Sequence, residues 1–313
     1  MLLSALVLSV LGSLASAENV APKGARQSHE TLRHTKGPFV IVTTHVSETL
    51  DITGCVDDAK YSAIELHTAK SIKSIRKFWK YTDCVLLHNQ MEVNRNLRRL
   101  AHGHGQMIMV NNGPEPHPSV RDWAAREKIL FAQNNDSNIG WGYELGAWRW
   151  AVQNILTQFD FDKRVLIYFI QDSVIIKSFD HSFVTPCFSA SCFFDFPAEI
   201  EPSLNNQTWL ESFGVDYTTF HMAMVSERMR ACGGPNFVAT YEGLCQLIMY
   251  GLWDKIRVNS KLLEQATERA IGWVLYEQFG VNRSIQRVMP YEWDQARWFF
   301  KYQPRRAGTY PAF

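Results

Sequence analysis

Val165-Leu166-Ile167-Tyr168-Phe169-Ile170, followed at once by Gln171-Asp172-Ser173, is the segment on which the fold reading turns. A continuous apolar run, rich in β-branched and aromatic residues and bounded by polar ones, reads as a strand buried on both faces. The pattern recurs upstream at Phe39-Val40-Ile41-Val42-Thr43, Cys84-Val85-Leu86-Leu87, Met107-Ile108-Met109-Val110 and Ile129-Leu130-Phe131-Ala132. Between these runs lie helical spacings. Ser62 to Trp79 carries Ile64, Ile72, Ile75 and Phe78, and Trp141 to Phe159 carries Leu145, Trp148, Val152, Ile155 and Phe159. Strands that alternate with helices need crossover connections, so the pattern predicts an α/β fold with a mostly parallel central sheet flanked by helices.

In such sheets ligands bind beyond the carboxyl ends of the strands. The residues there are His45, Asn111-Asn112-Gly113, Asn134-Asn135 and Gln171-Asp172-Ser173. Asn, Asp and Gly are also ordinary turn residues, so each position taken singly admits either reading. Two longer segments add to them. Asn138-Ile139-Gly140-Trp141-Gly142-Tyr143-Glu144-Leu145-Gly146 is a polar turn feeding a helix with glycines in its first turns. Glycine lets backbone approach a ligand closely, and a helix amino terminus offers free N–H groups to a phosphate. Close helix-to-sheet packing at Gly142 and Gly146 is the plain structural alternative. Further on, a strand through His221 to Arg228 leads to the turn Gly233-Gly234 and a helix opened by Thr240, with Glu242 in its first turn. A carboxylate there is favoured by the helix dipole; capping and general-base chemistry both remain open for it.

Composition bounds the function. The chain has 313 residues, 46% of them hydrophobic and 20% charged, enough for a substantial core and unlike a disordered or fibrous protein. Its 32 basic and 31 acidic residues leave a formal charge of +1, without the basic excess of a nucleic-acid binder. A nucleotide ligand would therefore be held by local devices, not by the global field. The aromatic excess (10 Trp, 11 Tyr and 19 Phe) is concentrated at Trp141–Trp150, Phe193–Phe196 and Trp293–Tyr302. Trp141, Trp209 and Trp253 are candidates for stacking on a flat ring or a sugar, against the alternative of core packing.

Residues 1–17, MLLSALVLSVLGSLASA, form an uncharged apolar run ending in Ala-Ser-Ala, which reads as a secretory signal; it is shorter than the ~20 residues of a spanning helix, and no stable transmembrane anchor is expected. Residues 18–37 read as a flexible leader or stem, residues 38–255 as the α/β domain, and residues 256–313 as a helical and aromatic extension packed on it. Acceptor triplets at Asn135, Asn206 and Asn282 suit a glycoprotein of the secretory pathway, either retained in the ER or Golgi lumen or secreted. Cys55, Cys84, Cys187, Cys192, Cys232 and Cys245 allow up to three disulfides, with Cys187–Cys192 the likeliest local clip by spacing. Their spacing does not suit a structural zinc site, and His102-Gly103-His104 reads as a Gly-rich turn.

The order of these motifs resembles the GT-A glycosyltransferases, transferases of nucleotide-diphospho-sugars built on a single Rossmann-like domain. The resembling segments are the opening strand Phe39–Thr44, the Asn138–Gly140 turn, Phe169–Ser173 in place of the strand ending in Asp-x-Asp, His221–Arg228, Gly233-Gly234 and Glu242. The resemblance spans roughly residues 38–255. It implies a nucleotide-sugar donor held by Asn138, Gly140, Gly142, Asn111 and Gln171, and a glycan or glycoprotein acceptor. Asp172 would stand beside the diphosphate, with or without Mn²⁺ or Mg²⁺, and Glu242 would be the base of an inverting reaction. The pattern departs in one respect: Gln171-Asp172-Ser173 supplies one carboxylate where the family has two, which puts metal dependence in doubt. The literal Asp160-Phe161-Asp162 precedes the strand and reads as a surface turn at the other end. The competing function is a secreted, non-catalytic carbohydrate-binding or interaction protein on the same fold.

Overall fold

The computed structural model describes residues 33–46, 48, 51–52, 78–134, 143–177, 190–192, 195–197, 216, 218–219, 222, 230–232, 234, 236–252, 261–280 and 299–301. Its elements run in the order β1 (Arg33–Thr35), β2 (Phe39–Thr44), α1 (Phe78–Leu100), β3 (Gln106–Asn111), α2 (Pro118–Arg126), β4 (Leu130–Gln133), α3 (Tyr143–Asn154), β5 (Phe159–Phe161), β6 (Leu166–Gln171), β7 (Val174–Ile176), β8 (Ala190–Cys192), β9 (Asp195–Pro197), β10 (Arg230–Cys232), β11 (Phe237–Thr240), α4 (Tyr241–Met249), α5 (Lys261–Phe279) and β12 (Phe299–Lys301). A short 3-10 turn, Leu156–Gln158, joins α3 to β5.

A six-stranded sheet in the order β4-β3-β2-β6-β11-β8 organises the molecule. β4, β3, β2 and β6 are parallel, with Phe39 opposite both Gln106 and Ile167, and Thr44 opposite Asn111. β11 runs antiparallel to both β6 and β8. The fold is thus α/β with a mixed, mostly parallel central sheet flanked by helices. Two-stranded pairs β1-β5, β10-β9 and β12-β7 sit outside the main sheet.

The central positions of β2, β3 and β6 are apolar and buried because both faces are covered. Phe39 and Ile41 of β2 join Ile167 and Phe169 of β6 in one core, where Leu145, Trp148 and Val152 of α3, Leu244 of α4 and Ile271 of α5 pack. The alternate residues Val40, Val42, Tyr168 and Ile170 enter a second core with Leu87, Met91 and Leu97 of α1 and Val120 and Trp123 of α2. Period-two alternation of strand side chains therefore feeds two cores, not one core and solvent.

Three sequence expectations change. Cys84–Leu87 lies within the helix α1, not in a strand. Leu87, Gln90, Met91, Asn94 and Leu97 are all buried at helical spacing, and the amides among them hide the periodicity from an apolar count. Within the stretch Trp141 to Phe159 the α-helix ends at Asn154, and Phe159 opens β5. Arg33–Thr35, within the segment read as a flexible leader, is a strand paired in parallel with β5. His102 (φ 49°) and Gly103 (φ 79°) do form the turn that ends α1. Next to it, a Cβ on Gly37 would lie 2.4 Å from the backbone carbonyl of His104, so the entry to β2 passes that turn at a distance only glycine allows.

The signal segment, the three glycosylation triplets, Cys187 and the helix expected over Ser62 to Trp79, short of its end at Phe78, lie outside the described residues. Cys245 is a buried free thiol, which limits the other five cysteines to two bridges. Among the described residues no helix is long and apolar enough to cross a membrane.

Candidate functional site at the switch point

Chain order reverses between β2 and β6. From β2 the chain builds outward through β3 to β4, then returns to add β6 on the other side. Where connections depart to opposite sides of a sheet, a crevice opens beyond the carboxyl ends of the two central strands, and this is where open α/β sheets bind ligands. The two strands here end at Thr44 and Gln171.

The crevice is bridged by chemistry. The Thr44 hydroxyl donates to Oδ2 of Asp172 at 2.9 Å, and the Asp172 backbone N–H donates to the Thr43 carbonyl at 3.1 Å. From α1, the side-chain amide of Gln90 donates to the Asp172 carbonyl. Gln90 is completely buried, and its own Oε1 has no partner among the described residues.

Gln171 locks the other side. Its backbone N–H donates to Oδ1 of Asn236 at 2.7 Å, and its side-chain amide donates to Glu144 in the first turn of α3. Asn236 precedes β11, and because β11 is antiparallel its start lies at the carboxyl end of β6. The Asn236 amide also donates to the Gly234 carbonyl at 2.7 Å, while the Gly234 N–H donates to Glu268 of α5 at 2.9 Å. One edge thus gathers residues from β6, α3, the turn before β11, and α5.

Toward β4 the edge is a chain of amides. Asn111 Oδ1 accepts from the Val46 N–H at 3.0 Å, and its Nδ2 donates to the Pro114 carbonyl at 2.7 Å and to Gln133 at 2.9 Å. Asn134 donates to the Asn112 side chain at 2.6 Å. Asn111 is completely buried and both its amide hydrogens are engaged, so it holds the loops after β2 and β3 in place and is not available to a ligand. This corrects its expected role in donor binding.

His45 follows Thr44 and is exposed. Its Nδ1 lies 3.0 Å from the Asn112 carbonyl oxygen. A carbonyl only accepts, so Nδ1 carries the proton, and in the neutral ring Nε2 holds a free lone pair. A Cβ on Gly113 would come within 2.6 Å of His45 Nδ1, so glycine at that position makes room for the ring.

Glu242 is elsewhere. Thr240 does cap α4, accepting from the Gly243 N–H at 3.0 Å, and Glu242 is in the first turn as expected. However, the Tyr241 N–H donates to the Val165 carbonyl at 2.8 Å and the Glu242 N–H to Lys163 at 3.1 Å. These contacts place Glu242, exposed, at the amino end of β6, with the length of the strand, roughly 20 Å, between it and Asp172. The expected pairing of Glu242 with Asp172 in one pocket does not occur, because β11 runs antiparallel and delivers its following helix to the opposite edge. Asp160 and Asp162 lie at that same edge. Both are exposed, and Asp162 Oδ1 accepts from the Arg164 N–H at 3.0 Å in a surface turn. Around α4, burial foremost pushes the Tyr241 hydroxyl up to about 12 and raises the Cys245 thiol.

Asn138, Gly140, Gly142 and the tryptophans Trp141, Trp209 and Trp253 lie outside the described residues. So do Gly233 and nearly all of His221–Arg228. Among the described residues no group of three or more His, Cys, Asp or Glu side chains could hold a divalent cation. Asp172 is a single hard-oxygen ligand, and any cation there would depend on diphosphate oxygens for the rest of its shell. The residues that sequence reasoning left unassigned at this edge are Thr44, Gln90, Glu144 and Asn236. Only Thr44, as the last residue of its strand, carried a signal.

No protein-family profile matches the chain, and no curated protein matches it in sequence.

Proposed function

We propose that the protein is a glycosyltransferase that binds a nucleotide-sugar at the β2/β6 switch point and passes the sugar to a glycan or glycoprotein acceptor in the secretory pathway. The observation that carries this reading is Asp172 at the carboxyl end of β6, hydrogen-bonded across the crevice to Thr44. The motif order of the GT-A family calls for an acidic residue after this strand, and the sheet order makes that position the ligand crevice.

The neighbouring groups fit a ligand rich in hydroxyls. The half-buried Asp172 carboxylate is an acceptor, suited to ribose or sugar O–H groups; a diphosphate would be repelled by it unless a cation stood between them. Glu144 is tied to Gln171 and fixes the start of α3 against β6. The function requires no role for Glu242.

The test is a thermal-shift panel of UDP-, GDP- and CMP-sugars on the full chain, each with and without Mn²⁺. A ligand that binds only the native state raises its stability, by about 2.7 kcal/mol at a hundredfold excess over Kd. A shift with one nucleotide class, weakened by Asp172→Asn, supports the reading. Silence across the panel refutes it and favours the non-catalytic interaction protein.

A further inference from the structure

With Glu242 at the opposite edge, the described residues at the carboxyl edge include an exposed imidazole, His45, held through one ring nitrogen only. We propose that His45 is the general base of the reaction, an inference that rests on the glycosyl-transfer reading and assigns its proton acceptor.

Four observations converge on His45. It follows Thr44, the residue that bridges the crevice to Asp172. It is exposed, so a bulky acceptor can reach it. Its Nδ1–H is held by the Asn112 carbonyl at 3.0 Å, which fixes both the tautomer and the ring and leaves Nε2 as the free basic atom. Finally, the backbone facing the ring is glycine: a Cβ at position 113 would fall 2.6 Å from Nδ1 and 2.7 Å from Cε1. A base oriented by a second group, with its lone pair open to solvent, is the arrangement general-base chemistry needs.

In the step, an acceptor hydroxyl places its hydrogen on Nε2 as its oxygen bonds to the anomeric carbon. The bond from that carbon to the phosphate oxygen breaks, and its electron pair leaves with the nucleotide. The imidazolium then returns its proton to solvent. Among the described residues, the ionisable side chains on the segments around His45 include Glu48 and Asp51 on its own loop, Glu115, His117 and Arg121 beyond β3, Asp172 after β6, and Glu144 on α3. Glu115 and Arg121 are paired with each other at 2.7 Å.

Water can stand in for the acceptor, so the test needs no knowledge of the natural one. With a donor identified by the thermal-shift panel, nucleotide release in buffer is measured against pH for the wild type, His45→Gln and Gly113→Ala. General-base catalysis predicts an acid limb in the wild-type profile. His45→Gln loses that acid limb and about a hundredfold in rate while keeping the donor-induced shift. Gly113→Ala displaces the ring and lowers the rate in the same direction, again with donor binding retained. A His45→Gln protein that turns over within about threefold of wild type, with its acid limb intact, overturns the assignment and leaves the transferase reading standing. Donor binding without any release overturns the assignment as well. If no donor binds, the transferase reading itself falls, and the base with it.

Discussion

Phe169 and Phe237 are the cross-strand pair that fastens β11 to β6, and their coupling can be measured. They face each other in register, and their rings stack at 4.6 Å between centroids with 14° between planes. Trp148 of α3 meets both edge-on, at 5.8 Å from Phe169 and 6.0 Å from Phe237. All three side chains are completely buried. Replacing either Phe by Ala would cost about 3–5 kcal/mol, a large share of a total stability of about 5–15 kcal/mol, and risks unfolding the protein. Leucine keeps much of the volume and removes the ring, so each single Phe→Leu change is expected to cost roughly 1–2 kcal/mol. The direct pair is worth about 0.5–1.5 kcal/mol beyond its burial. The double variant Phe169→Leu/Phe237→Leu should therefore be less destabilised than the sum of the singles by about 1 kcal/mol. Urea unfolding of the four proteins, read from midpoints at a common slope, gives the coupling directly. Additivity within about 0.3 kcal/mol would refute the claim that this stack joins β11 to the parallel half of the sheet.

Thr44→Val removes the hydroxyl that donates to Asp172 and keeps the side-chain shape; a hydrogen bond to a charged group contributes about 1.5–3 kcal/mol, so Tm should fall by several degrees, and a Tm within about 1 °C of wild type would show the bond to be immaterial. Tyr241 has an ordinary value of 10.0 that burial, first among its causes, pushes up to about 12. Its contribution to stability is therefore fully present below pH 10 and is lost as pH rises toward 12; Tyr241→Phe should flatten urea midpoints over that window, and an unchanged slope would contradict the burial argument. Glu242→Gln should leave both the donor-induced thermal shift and nucleotide release as in wild type, since the side chain lies at the far edge of the sheet; a tenfold loss of release would restore it to the chemistry.

The parallel strands were legible because their central residues form continuous apolar runs bounded by polar ones. β2, β3, β4 and β6 fall within a residue or two of their apolar runs. α1 was not, because Asn89, Gln90 and Asn94 occupy buried helix positions where a periodicity count looks for Leu or Ile. Of the candidate site, His45 and Asp172 follow directly from where β2 and β6 end. What no local reading supplies is strand direction. Thr240 and Glu242 carry the marks of a helix start whichever way β11 runs, yet direction alone decides which edge of the sheet that start occupies. Asn236 was missed for the mirror-image reason. It precedes its strand, and only an antiparallel strand begins where its neighbours finish.

The switch-point contacts also have a consequence for biosynthesis. Thr44 and Asp172 are 128 positions apart, and Gln171 and Asn236 a further 65. At about 5–20 residues per second, the partner of Thr44 leaves the ribosome about 6–25 s after it, and the residue that holds Gln171 later still. Until then β2 and β3 can pair with each other, but β2 has an open flank of unpaired backbone where β6 belongs, the kind of edge that recruits other chains. A nascent protein of this topology is therefore aggregation-exposed for most of its synthesis. The Thr44–Asp172 and Gln171–Asn236 contacts can both form only when more than two thirds of the chain has emerged, so donor binding, on the proposed function, would serve as a readout of completed folding.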